Sequence, residues 1–282
     1  MRLRGVRRST NVEDRRGMRG LPMAGAGGLG LGGLLLILVI GLFTDIDLTP
    51  FVSGNGGTAG AYLPDELSPE EEQAADFTLR VLATTEDVWT TVMAEQAGLQ
   101  YDPPVLVLFS GVTSSPCGGA SGATGPFYCP ADRKAYLDLD FFATLSSRLG
   151  AAGDFAAAYV VAHEVAHHIQ NELGILGQIN TARQQMSDRE ANALSVALEL
   201  QADCLAGVWA AHVEGLLDPG DVAEAMNAAR MIGDDRLQGA AGRVPQPHTF
   251  THGTSAQRAR WFGTGYDSGQ MASCDTFRAE QL

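Results

Sequence analysis

Two histidines four residues apart stand in the run His163-Glu164-Val165-Ala166-His167. On a helix that spacing puts both imidazoles on one face, a turn apart, so both can reach a single ion. Glu164 follows His163 by one residue and is rotated from it by about 100°. Its carboxylate then stands beside the ion without ligating it, where it can take a proton from water that the ion activates. Small and apolar residues surround the motif: Ala158, Tyr159, Val160, Val161, Ala162, Val165, Ala166 and Ile169. The helix is therefore buried. Two imidazoles and a carboxyl group inside a protein need polar partners, and a metal ion satisfies all of them. His168 falls off the ligand face and reads as a surface residue or one lying behind the ligands.

A catalytic zinc takes three protein ligands and keeps one position open. Glu199-Leu200-Gln201-Ala202-Asp203 offers two acids four apart on a second apolar helix. Buried carboxylates must be paired or bound to metal. Glu199 reads as the third ligand, and Asp203 as the group that orients a ligand histidine from behind. The plainer reading is a salt bridge along the helix face, which the scarcity of basic residues nearby disfavours. The chemistry implied is zinc-assisted hydrolysis of a peptide bond, with Zn2+ as cofactor and a protein or peptide as substrate.

With Glu199-x-x-x-Asp203 behind it, the segment His163 to His167 resembles the glutamate-zincins, or gluzincins. More closely, the chain resembles the "Putative neutral zinc metallopeptidase" family of bacterial membrane-anchored proteins. The likeness runs nearly end to end. It lies in Ser9-Thr10-Asn11-Val12-Glu13-Asp14-Arg15-Arg16-Gly17, in Gly125-Pro126-Phe127-Tyr128-Cys129-Pro130, in the block from Glu199 to Trp209, and in His252-Gly253-Thr254-Ser255. The resemblance implies zinc, peptidase activity and a zincin-like fold, and it names no substrate. In membrane-bound gluzincins related to the prenyl-protein proteases, a His-Pro segment with an Arg six residues on lies beside the zinc. His252 and Arg258 have that spacing here, with Gly253 in place of the proline. By that resemblance His252 is a catalytic group that stabilises the oxyanion. A capping role beside Thr254 or Ser255 is the alternative.

The elements that must carry these residues read as follows. Helices are expected over 154–173, about 181–213, about 219–237 and 254–266, with Gly174 and Gly215 as C-caps. Before them, Ser68-Pro69-Glu70-Glu71 has the pattern of a capped helix start, and the amphipathic run continues to about Ala97. Val105 to Phe109 reads as a buried strand, with short strands at Phe127 to Cys129 and Lys134 to Leu139. Between them lies a Gly/Ser-rich loop from Gly111 to Gly125. It is not a phosphate cradle, because Gly125 leads into Pro126 and not Lys-Ser/Thr. The fold class is α+β, a small early sheet followed by a helical remainder.

The net charge is −14, unevenly spread. Arg2, Arg4, Arg7, Arg8, Arg15, Arg16 and Arg19 stand against Glu13 and Asp14 in the head, and the rest is strongly acidic. An acidic domain repels phosphate, which excludes nucleic acid as a partner. Leu21 to Thr44 carries no charge and suits a transmembrane helix, with the arginines before it on the cytoplasmic side. The alternative is a cleaved signal peptide, but no small-residue cleavage site follows Phe43. The expected organisation is therefore a cytoplasmic basic segment 1–20, an anchor 21–44, a linker 45–63 and an extracytoplasmic zinc metallopeptidase domain 64–282. Four cysteines without a C-x-x-C pair read as disulfides of an exported domain. Of the three connectivities four cysteines allow, Cys117 with Cys129 and Cys204 with Cys274 is preferred. A rival reading keeps the zinc in a membrane-tethered scaffold without proteolysis. Glu164 argues against it, since a structural site needs no general base. Another rival is a metal-free module whose acidic surface binds basic partners. Oligomeric state is not legible.

Overall fold

The structure, a computed structural model, describes residues 1–17, 67–121, 125–147 and 149–282. The anchor expected at 21–44 and the linker at 45–63 lie outside the described residues.

The chain is α+β, with a small early sheet and a mostly helical remainder. Strand β1 (Val12–Asp14) precedes helix α1 (Pro69–Val92), whose start is closed by a reciprocal capping box between Ser68 and Glu71. Strands β2 (Val105–Phe109), β3 (Val112–Ser115), β4 (Gly118–Ser121), β5 (Phe127–Cys129) and β6 (Lys134–Asp138) follow. The main sheet runs β1-β2-β6-β5. β1 and β6 lie parallel to β2, with Val12 opposite Leu106 and Leu106 opposite Ala135, while β5 returns antiparallel to β6. β3 and β4 form a separate antiparallel hairpin where a loop was expected. Cys117, between its strands, is bonded to Cys129 at the end of β5.

The helical part comprises α2 (Asp140–Ser147), α3 (Asp154–Glu172), α4 (Ile175–Arg183), α5 (Asp188–His212), α6 (Asp221–Met231), α7 (Asp234–Ala240) and α8 (Ser255–Ser268). The expected helix 181–213 is thus divided, because Ser187 and Glu190 form a capping box that starts α5 afresh. The expected helix 219–237 is likewise split at Gly233, whose Cβ would collide with Ser255. Gly215 caps nothing. α5 ends at His212, and Gly215 sits in a short 3-10 turn. Gly174 does take the left-handed conformation between α3 and α4, at φ 73°.

α5 alone among the described helices is long and apolar enough to cross a membrane, and it is the buried core of the domain instead. It meets α8 backbone to backbone. A Cβ on Gly265 would stand 1.8 Å from the Cys204 carbonyl oxygen, and one on Gly207 would stand 2.1 Å from that of Phe262. Cys204 is also bonded to Cys274, which ties the C-terminal tail to α5.

The head packs against the folded domain. Residues 1–17 are built into the domain and are not a separate basic segment. β1 occupies one edge of the sheet, Leu3 is part of the core, and Arg16 is buried with its guanidinium on Asp14 and the Glu71 carbonyl. The Met1 ammonium lies among Asp154, Asp218 and Asp221 at 2.9–3.2 Å. Segments that hydrogen-bond to one another lie on the same side of any membrane. These contacts place the head beside the domain, and the anchor and linker expected between them lie outside the described residues.

Candidate active site

α3 and α5 cross so that the two motifs face each other. His163 Nε2 lies 3.1 Å from Glu199 Oε2, and His167 Nε2 lies 3.5 Å from Glu199 Oε1. One donor atom from each of the three residues falls within 4.8 Å of the others. Ligand atoms bound at 2.0–2.1 Å around a tetrahedral ion stand about 3.3 Å apart. The nitrogen–oxygen separations here bracket that spacing, and two imidazoles with one carboxylate are a donor set that zinc accepts. The residues therefore fit the metal.

Electrostatics point the same way. Burial would favour neutral side chains, but the charges of His167 and His252 and the contact with His163 hold the Glu199 carboxyl well below its usual range. Burial also works against charge on His163, yet Asp203 and Glu199 outweigh it and push its pKa up to about 10. A pocket that keeps its carboxylate ionised beside two imidazoles attracts positive charge, whether protons or a metal ion compete for it. Glu164 behaves oppositely. Burial lifts its pKa, and its Oε2 is buried with no hydrogen-bond partner. Two carboxyl groups in one site with pKa values driven apart are suited to different tasks.

Behind His163 stands a charged brace. Asp203, fully buried, places Oδ1 2.9 Å from His163 Nδ1, off the line of a straight hydrogen bond. Tyr159 donates its hydroxyl to the same oxygen. Arg258, 2% exposed, grips Asp203 with both arms of its fork, Nε to Oδ2 at 2.9 Å and Nη2 to Oδ1 at 3.0 Å. Nη2 also donates to the Tyr159 oxygen at 3.1 Å. The glycine contact between α5 and α8 brings Arg258 this close.

His252 enters from the turn between α7 and α8. Asp234 Oδ2 accepts from the backbone N–H groups of Thr251, His252 and Gly253, and its Oδ1 lies 3.4 Å from His252 Nδ1. Gly253 sits at φ +90°, against Leu200 and Val196 of α5, a backbone conformation a proline could not adopt. Burial lowers the His252 pKa, and Glu199 and Asp234 more than offset this, so His252 lies within the field of the site. The neighbouring cap on α8 belongs to Thr254, whose hydroxyl accepts from Gln257 N–H, and not to His252.

A family model matches residues 1–277. The chain belongs to the "Putative neutral zinc metallopeptidase" family. "Uncharacterized protein YpfJ" of Escherichia coli (strain K12) is 47% identical over 286 residues, spanning 98% of this chain and 99% of its own. "Uncharacterized protein Rv2575" of Mycobacterium tuberculosis (strain ATCC 25618 / H37Rv) is 43% identical over 220 residues, 72% of this chain and 71% of its own. No solved structure matches. The family match includes the head, in keeping with its place in the sheet.

In this member of the family, the sequence pattern leaves out Tyr159 and Asp234. Tyr159 lies one turn before His163 on the same helix face, which is the only signal it carried. Asp234 reaches His252 across a turn, and no spacing rule anticipates that. The expectation for His168 needs correction. It is fully buried, with Nε2 2.7 Å from the Asp102 carbonyl and Nδ1 3.0 Å from the Tyr128 hydroxyl, and it joins α3 to the sheet region. His212 bonds the Val208 carbonyl, and His248 lies exposed on a 3-10 turn, away from the cluster.

Proposed function

We propose that this chain is a zinc-dependent peptidase that hydrolyses peptide bonds of proteins or peptides, with a zincin-like active-site domain. The observation that carries the reading is the unpartnered buried oxygen of Glu164 beside the three converging donors of His163, His167 and Glu199. A structural metal site has no use for a further, uncommitted carboxyl group beside its ligands. Zinc bound there supplies a Lewis acid that polarises the scissile carbonyl and acidifies water. Glu164 Oε2 takes the proton from the attacking water and returns it to the leaving amine, a task that its raised pKa suits. Asp203, locked by Arg258 and Tyr159, holds the His163 ring in place. His252, set by Asp234, donates to the developing oxyanion. Two disulfides support an address outside the cytoplasm, with the run from Leu21 to Thr44 as the membrane attachment.

The test uses the full chain, because residues 1–17 supply β1. Purified protein is expected to carry about one zinc and to cleave casein. Glu164→Gln keeps its zinc and loses about two to four orders of magnitude in turnover, whereas Glu199→Gln loses zinc. Glu164→Gln shedding its metal while Glu199→Gln keeps metal and activity would reverse the two roles.

A further inference from the structure

The two histidines of the centre are held differently. His163 is backed by an anion. His167 Nδ1 instead lies 2.9 Å from the side-chain oxygen of Gln170, one turn along α3. Either ring nitrogen of a neutral histidine can carry the proton, and a glutamine amide can face either way. Here the polarity of every contact follows from its far end. The Cys274 main-chain carbonyl can only accept, so the Gln201 nitrogen, 3.0 Å away, must donate to it. That turns the Gln201 oxygen toward Gln170, whose nitrogen donates to it at 3.1 Å and also to the Leu198 carbonyl at 2.7 Å. Both hydrogens of the Gln170 amide are then used, and its oxygen is left to accept. Only an Nδ1–H on His167 completes the contact, which leaves the Nε2 lone pair directed toward Glu199 and the ion.

All three carriers of this relay are buried: Gln170 fully, Gln201 at 7% exposed and Cys274 at 1%. A buried amide there that turned over would face donor with donor or acceptor with acceptor. The last carbonyl is fixed as well. Cys274 is bonded to Cys204, one turn beyond Gln201 on α5, and Thr276 donates its hydroxyl to the Ala197 carbonyl on the same helix. We infer that Gln170 and Gln201 are positioning residues of the metal centre. They hold His167 in the Nδ1–H form by a directional chain anchored at the disulfide-tied tail. The inference rests on the metal centre proposed above.

Two measurements on the full chain test it. In zinc-loaded protein with 15N-labelled histidine, two-bond 15N–1H spectra should show His167 bound through Nε2 and protonated at Nδ1. Binding through Nδ1 overturns the inference without any variant having to fold. Zinc affinity, read by competition with a chelating dye, should fall about 10–100-fold in Gln170→Leu, the range for loss of a group that orients a metal ligand. Gln201→Met should fall less, since Leu198 still holds one hydrogen of Gln170. Wild-type affinity retained within twofold in Gln170→Leu, with the ring signature unchanged, overturns the relay. A wild-type chain that takes up no zinc refutes the metal centre itself, a different failure.

Discussion

Arg258→Met separates a brace from a bystander. The guanidinium is 2% exposed and Asp203 is fully buried, so methionine fills much of the same space while leaving a carboxylate without its counter-ion. Breaking one partner of a buried ion pair costs about 3–5 kcal/mol. For a domain of this size each kcal/mol lowers the melting temperature by about 2–4 °C, which gives a drop of roughly 6–20 °C. The assay is urea and thermal unfolding of chelator-treated protein, so that bound metal does not mask the loss. A second variant checks the cause. Asp203→Leu combined with Arg258→Met removes both charges and should be less destabilised than Arg258→Met alone, because no unpaired ion remains. The pH dependence has a definite sign. Burial opposes the Asp203 charge, but Arg258 and His163 hold its pKa below the ordinary 3.8, so the pair's contribution is present above that value and fades as pH falls through the folded pKa. The gap between wild type and Arg258→Met should therefore close in acid. A loss under about 1 kcal/mol at neutral pH, or a double variant worse than the single, would refute the reasoning.

Three further outcomes follow from the same structure. Gly265→Ala should cost at least about 1–3 kcal/mol or abolish soluble protein, since its Cβ meets immovable backbone; Gly239→Ala, on open α7, should be neutral or stabilising, and unfolding midpoints compare the two. Zinc uptake should release protons, because Asp203 and Glu199 push the metal-free His163 to about 10 against the opposing effect of burial. Affinity should accordingly rise with pH, and calorimetry at pH 7.5 in buffers of different ionisation enthalpy counts the protons. Cysteines placed at exposed Arg4 and Gln281 should react with a membrane-impermeant reagent from the same side of the membrane, and labelling from opposite sides would undo the docking of the head.

What could be read from the sequence was what local pattern dictates. The small and apolar run around His163 set α3, the Ser68–Glu71 box set the start of α1, and Val105 to Phe109 was continuous enough to be a buried strand. The three candidate ligands follow from helical periodicity and meet in space. What escaped depends on partners far away in the chain. Val12–Asp14 is a strand only because β2 pairs with it, and the arginines around it disguise that as an unattached basic tail. Gly118–Ser121 has little strand propensity, and its place in a hairpin comes from pairing with β3 beside the Cys117–Cys129 bond. Gln170 and Gln201 looked like ordinary helix residues until the tail was seen to lie over them.

The position of β1 has a consequence for how the chain is made. At synthesis rates of about 5–20 residues per second, the head leaves the ribosome roughly 5–20 seconds before β2 exists to receive it. The head must therefore wait for its partner strand, and its contacts close one edge of the sheet. Until then β2 presents an open parallel edge bearing Leu106, Val107, Leu108 and Phe109, all buried in the finished fold. A chain whose head is blocked or clipped keeps that edge and the hazard of pairing with its neighbours.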